Sequence, residues 1–235
     1  MGVGGSSPSR ATKDCKIMPY TAIIFDFFDV VHNDPFLRWL KSHGLKREGA
    51  LHEASVELDK GRITTSEFFD RLQKLTDQSA SEIADEMTSF HGYDQDVMDL
   101  IRILSKDYRV GLLSNGPSGF VRELLTNAGI EDAFHHIVIS SEVGMVKPDP
   151  EIFQHILSRM SAKPNTTIFI DDNPKNVAAA VKLGICGIQF VGIQDLRVSL
   201  QKLGVKLSES WYNKHYGGQA FWGSIRRRGG AIRLS

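Results

Sequence analysis

The first strongly apolar run, Ile23-Ile24-Phe25 in the stretch IIFDFFDVV, is closed by Asp26, and its β-branched and aromatic character predicts a strand buried on both faces. The spacing then turns helical. Asp34 and Pro35 stand where an N-cap and a first helical residue belong, with Phe36, Leu37 and Leu40 on one face up to Gly44. Thr64 with Glu67, and Ser79 with Glu82, fit the capping-box pattern; Phe68, Phe69, Leu72 and Leu75 follow the first, and Ile83, Met87 and Phe90 the second. Val97, Leu100, Ile101 and Leu104 make a further stripe. From Tyr108 onward the period changes, and the short runs RVGLLS, HIVIS, TIFID and CGIQF each precede a helical segment. That alternation is the sequence form of a doubly wound α/β fold, a parallel sheet with helices on both faces. Residues 34–106 are too long for a loop and predict an inserted helical cap between core segments 19–33 and 107–205.

Both ends lie outside this pattern. Residues 1–18 are rich in Gly, Ser and Pro and read as a disordered tail, although Met1-Gly2 with Ser6 satisfies the loose myristoylation pattern. Residues 206–235 carry six basic residues against Glu209 alone, interleaved with Trp211, Tyr212, Tyr216, Phe221 and Trp222. This basic aromatic extension is the single feature that could touch nucleic acid. The whole chain balances 28 basic against 28 acidic residues, so no global charge points to nucleic acid or an anionic membrane. No apolar run is long enough for a membrane span. Two cysteines, Cys15 and Cys186, are too few for a disulfide framework, and the default is a reducing cytoplasm with Cys186 as a small buried hydrophobe.

In open α/β sheets, ligands bind beyond the carboxyl ends of the strands. Four such ends carry chemistry here: Asp26 after IIF, Ser114-Asn115-Gly116 after VGLL, Lys147 in the loop GMVKPDP after HIVIS, and Asp171-Asp172 after TIFI. Singly, each fits a turn former or an N-cap. Together they match phosphoryl transfer through a carboxylate. Asp26 is the nucleophile, Lys147 neutralises nucleophile and phosphate, and Ser114 and Asn115 bind phosphate oxygens. Asp171 and Asp172, with Asp26, are candidates to hold Mg²⁺, which takes oxygen ligands from one or two carboxylates.

The series IIFDFFDVV, LLSNG, SSEVGMVKPDPEIF and FIDDNPKNVAAAVKLG resembles the four motifs of the haloacid dehalogenase-like hydrolase superfamily, over about residues 20 to 200. The phrase DKGRITTSEFFDRL is similar to the helical C1 cap of the subgroup containing the phosphatase domain of soluble epoxide hydrolase and bacterial sugar-phosphate phosphatases. The resemblance implies a Rossmann-like core, a phosphoric monoester hydrolase activity, a small phosphorylated metabolite as substrate, and the backbone carbonyl of Phe28 as a further metal ligand.

One position departs from that pattern. Phosphatases of the superfamily usually carry a second Asp two residues after the nucleophile, and here it is Phe28. Asp29 follows where the pattern has Gly; it either caps the turn or replaces the missing acid. Two other readings stay open: a haloacid dehalogenase forming an aspartyl ester without metal, and a catalytically weakened domain kept for binding or regulation. Adjacent Asp171 and Asp172 oppose the dehalogenase, because they repel a carboxylate substrate. His135-His136 lacks a third ligand nearby in sequence, and Trp39 and Phe68-Phe69 read as cap core.

Overall fold

A computed structural model describes residues 15–16 and 19–207. The tail over 1–18, apart from Cys15 and Lys16, and the extension over 206–235, apart from its first two residues, lie outside the described residues. Five parallel strands run β1 (Ala22–Phe25), β2 (Arg109–Ser114), β3 (His136–Ile139), β4 (Thr167–Asp171) and β5 (Cys186–Gln189), in spatial order β3-β2-β1-β4-β5. The first strand is therefore central, paired with β2 through Phe25 opposite Leu112 and with β4 through Phe25 opposite Ile170. All four of its residues are buried. This is the doubly wound sheet that the alternating runs predict.

Side-chain alternation divides the core. Ile23 and Phe25 pack on one face with helices α5 (Gln95–Leu104), α6 (Ser118–Asn127) and α10 (Ile193–Lys202). Ala22 and Ile24 pack on the other with α8 (Pro150–Arg159) and α9 (Pro174–Lys182). Four inserted helices, α1 (Pro35–Ser42), α2 (Gly49–Asp59), α3 (Thr65–Gln73) and α4 (Ala80–Ser89), enclose a separate cluster around Trp39, Phe68, Leu72 and Ile83. Trp39 and Phe68 thus belong to that apolar centre. Asp34 caps α1 through Leu37 N–H with Pro35 at the first turn, and the reciprocal bonds of both capping boxes are present at Thr64–Glu67 and Ser79–Glu82. The stripe on α5, grouped by sequence with the inserted helices, packs on the sheet instead. Leu75 lies past the end of α3 and is half exposed rather than part of its apolar face.

The reading of Cys186 as a free buried thiol needs correction. Cys186 is buried at the start of β5 and forms a disulfide with Cys15, across 171 residues of sequence. That pairing removes the cysteine count as a reason to expect a reducing compartment. Among the described residues, no helix is long and apolar enough to cross a membrane.

Candidate active site

The backbone N–H of Asp26 continues the sheet ladder by donating to the Ile170 carbonyl at 2.8 Å, which fixes this residue at the carboxyl edge between β2 and β4. Lys147 Nζ lies 2.6 Å from Asp26 Oδ1 and 2.8 Å from Asp171 Oδ2, with its side chain almost wholly buried. Burial opposes the charge on the amine, but Asp171 and Asp26 outweigh it and raise the lysine pKa above its ordinary value. Burial, and then the charge of Asp171, push Asp26 well above the usual carboxylate range. Two buried carboxylates against one ammonium leave a local excess of negative charge. Asp171 spends its oxygens on neighbours: Asn173 N–H at 2.8 Å and Asn176 Nδ2 at 3.1 Å join Lys147.

Asp172 is the more open carboxylate, raised to about 6 by desolvation and by Asp171 beside it. Oxygens of Asp26, Asp171 and Asp172 all lie within 4.8 Å of one another. The sequence-predicted phosphate residues are placed unequally. Ser114 is fully buried at the end of β2, with its Oγ 3.4 Å from the Asn115 carbonyl, and does not line the cavity above Asp26. Asn115 does line it, but its side chain clamps Lys147, accepting from Lys147 N–H at 2.9 Å and donating to Lys147 O at 3.0 Å. Its amide thus sets where the lysine stands. Phe28 has its ring against Phe120, at 6.3 Å between centroids and 16° between planes.

A family model for haloacid dehalogenase-like hydrolases matches residues 20–184, which hold β1 to β4, the inserted helices and Asp26, Lys147, Asp171 and Asp172. The chain belongs to the haloacid dehalogenase-like hydrolases. Flavin mononucleotide hydrolase 1 of Arabidopsis thaliana, named as chloroplastic, is 26% identical over 219 residues, covering 88% of this chain and 85% of its own length. D-ribitol-5-phosphate phosphatase of Bacteroides thetaiotaomicron is 27% identical over 184 residues, covering 69% of this chain and 87% of its own. A Bacteroides thetaiotaomicron enzyme of the family, solved as a magnesium complex, superposes with a TM-score of 0.63 at 27% identity, over 74% of this chain and 94% of that one.

In this haloacid dehalogenase-like hydrolase a cavity of about 370 Å³ opens over Asp26, Lys147 and Asp172. Six aromatic rings line it, among charged and aliphatic neighbours. Phe28, Phe120 and His91 form the core side, and Phe36, Phe68 and Phe69 face them from the inserted helices. Beyond the cluster, Asp29, Asp34, Arg47 and Asp59 add charge, with Arg47 Nη2 donating to Asp59 Oδ2 at 2.9 Å. Sequence reasoning assigned no site role to Asn176, Asp34, Arg47, Asp59 or His91. Asn176 alone had a signal, since it stands five residues after Asp171 on the first turns of α9.

Asp29 lies in the left-handed region at φ +54°, which explains why glycine suits that place in the family pattern. Its Oδ1 accepts from the Arg38 guanidinium at 2.6 Å and from Asp34 N–H at 3.1 Å.

Proposed function

We propose that this hydrolase is a Mg²⁺-dependent phosphatase that cleaves a small phosphomonoester through an aspartyl-phosphate on Asp26. The observation that carries this reading is the ammonium of Lys147 held between Asp26 and Asp171, with the carboxylate of Asp172 beside them on the floor of one cavity. The names of the two relatives, both acting on phosphate esters, support it. So does the relative solved with magnesium.

The donor set fits Mg²⁺. It is all oxygen, its carboxyls are crowded within 4.8 Å, and Asp26 and Asp172 are both pushed upward by desolvation and then by the charge of Asp171. Asp26, Asp171, Asp172 and the Phe28 carbonyl would hold the ion, and the bound cation supplies the charge that lets a phosphate dianion approach a carboxylate. Asp26 attacks phosphorus and carries the phosphoryl group as an acyl phosphate. Lys147, pinned by the Asn115 clamp, offsets the charge on nucleophile and phosphoryl oxygens. Asn115, which lines the cavity, would offer its main-chain N–H to those oxygens; the Gly116 N–H is already held by Ser140 Oγ at 2.9 Å, and buried Ser114 shapes the strand end. Water then hydrolyses the acyl phosphate.

The organic part of the substrate must sit against the aromatic walls. Rings stack on apolar, flat surfaces and gain about 0.5–1.5 kcal/mol per aromatic pair beyond burial. A planar aromatic or strongly apolar phosphomonoester therefore fits Phe28, Phe120 and Phe36 better than a free sugar phosphate does. Steady-state hydrolysis of flavin mononucleotide, p-nitrophenyl phosphate and glycerol phosphate, each with Mg²⁺ and with EDTA, tests both statements. Metal-dependent turnover with kcat/KM highest for the ring-bearing esters is expected. Metal-independent turnover would refute the mechanism, and a preference for glycerol phosphate would refute the reading of the walls.

A further inference from the structure

Replacing the usual second Asp by Phe28 leaves the reaction without an evident proton donor. The expelled oxygen of an alkyl phosphate ester is a strong base, so an unassisted leaving group slows the first step. Asp29 does not supply the proton, because its carboxylate is ion-paired to Arg38 and accepts the Asp34 N–H. Asp59 is ion-paired to Arg47, and Asp172 belongs to the carboxylate cluster over the nucleophile. Asp34 is different. It lines the same cavity as Asp26, and its cap bond to Leu37 N–H at 3.0 Å uses Oδ1. Arg38 spends its guanidinium on Asp29, on Asn33 and on the Asp34 main-chain oxygen at 3.2 Å.

Resting on the phosphatase reading above, we infer that Asp34 is the acid–base residue of this enzyme, taking the role that Phe28 cannot fill. In the first step Asp26 forms its bond to phosphorus, the phosphorus–oxygen bond of the ester breaks, and the departing oxygen takes the proton of the Asp34 carboxyl. Asp34 is left as a carboxylate. In the second step it takes a proton from the water that attacks the acyl phosphate, the Asp26–phosphorus bond breaks, and inorganic phosphate leaves. The acid is thereby restored.

The surroundings suit that cycle. Desolvation, joined by the charge of Asp29, lifts the Asp34 carboxyl to about 6, against the backbone bond to Leu37 and the charge of Arg47. Arg38 compensates Asp29 on one side and Asp59 compensates Arg47 on the other. A group titrating near neutrality can both give and take a proton.

The test is Asp34→Asn, since Asn also caps a helix N-terminus and so preserves α1. Wild type and variant are compared with Mg²⁺ on an alkyl phosphate and on p-nitrophenyl phosphate, whose leaving group needs little protonation. The expected result is a fall in kcat/KM of roughly 10²-fold or more for the alkyl ester, with a loss at least tenfold smaller for the aryl ester. The wild-type kcat/KM for the alkyl ester should decline above about pH 6, and the variant should lack that limb. Equal losses on both esters, or a limb removed by His91→Gln and kept in Asp34→Asn, would overturn the inference alone. No metal-dependent turnover of either ester by the wild type would remove the phosphatase reading and this inference with it.

Discussion

Arg38 Nη1 lies 2.6 Å from Asp29 Oδ1, and the same oxygen receives the Asp34 N–H. That pair ties the turn after the nucleophile to the first inserted helix, so Asp29 works as a structural anchor. Asp29→Asn keeps an acceptor at this left-handed position, where Asn is tolerated, and is expected to retain most Mg²⁺-dependent turnover of p-nitrophenyl phosphate. Asp29→Ala loses both bonds and is expected to lower stability by about 1–3 kcal/mol in chemical denaturation. Abolished turnover in Asp29→Asn would make Asp29 the acid instead.

Removing the buried cation should cost more than activity. Lys147→Met leaves Asp26 and Asp171 facing each other without a counter-charge, and breaking such a pair costs about 3–5 kcal/mol. The loss is expected in full in EDTA and in part with Mg²⁺ present, because a cation can then occupy the cluster. Differential scanning in the two buffers checks this, and an equal loss in both would contradict a metal site here.

Asp34 gives a stability signature of its own. Its folded-state pKa is about 6 against an ordinary 3.8, so the protonated form is the one the fold favours. Its contribution is fully present below about pH 4 and lost as pH rises through 6, a change of order 2–3 kcal/mol. Asp34→Asn carries no such titration. The variant should match the wild type near pH 4 and exceed it above pH 7, measured by denaturant midpoints across that range.

Gly61 follows α2 at φ +68°, and a Cβ there would meet the main-chain oxygen of Ser141 at 2.6 Å. The turn therefore seats directly on the short helix α7 (Ser140–Val143), where Ser140 Oγ also donates to the Asp59 carbonyl at 2.5 Å and accepts the Gly116 N–H at 2.9 Å. Gly61→Ala is expected to push the inserted helices off the core, lowering the melting temperature and raising KM more than it lowers kcat. An unchanged melting temperature would show that this contact is dispensable.

Much of this was legible in the sequence because local rules decide it. The run from Ile23 to Phe25 has no polar face, Thr64–Glu67 and Ser79–Glu82 cap by spacing alone, and strand ends must carry the chemistry of an open sheet. What sequence could not supply depends on orientation or on distant partners. Ser114 ends its strand on the side that turns into the core, and Asn115 turns back onto Lys147, 32 residues away. Cys15 meets Cys186 across 171 residues, a pairing that no local spacing announces. The α5 stripe has the same period whether it faces the sheet or the inserted helices. Asp34, Arg47, His91 and Phe120 come from separate elements, and only the folded cavity gathers them.

The most direct test of the central claim is release of inorganic phosphate from p-nitrophenyl phosphate and flavin mononucleotide by the wild type and Asp26→Asn, each with Mg²⁺ and with EDTA. The account predicts turnover by the wild type with Mg²⁺ alone, and none by Asp26→Asn in either buffer. Phosphate release by Asp26→Asn, or metal-independent halide release from a 2-haloacid by the wild type, would contradict it.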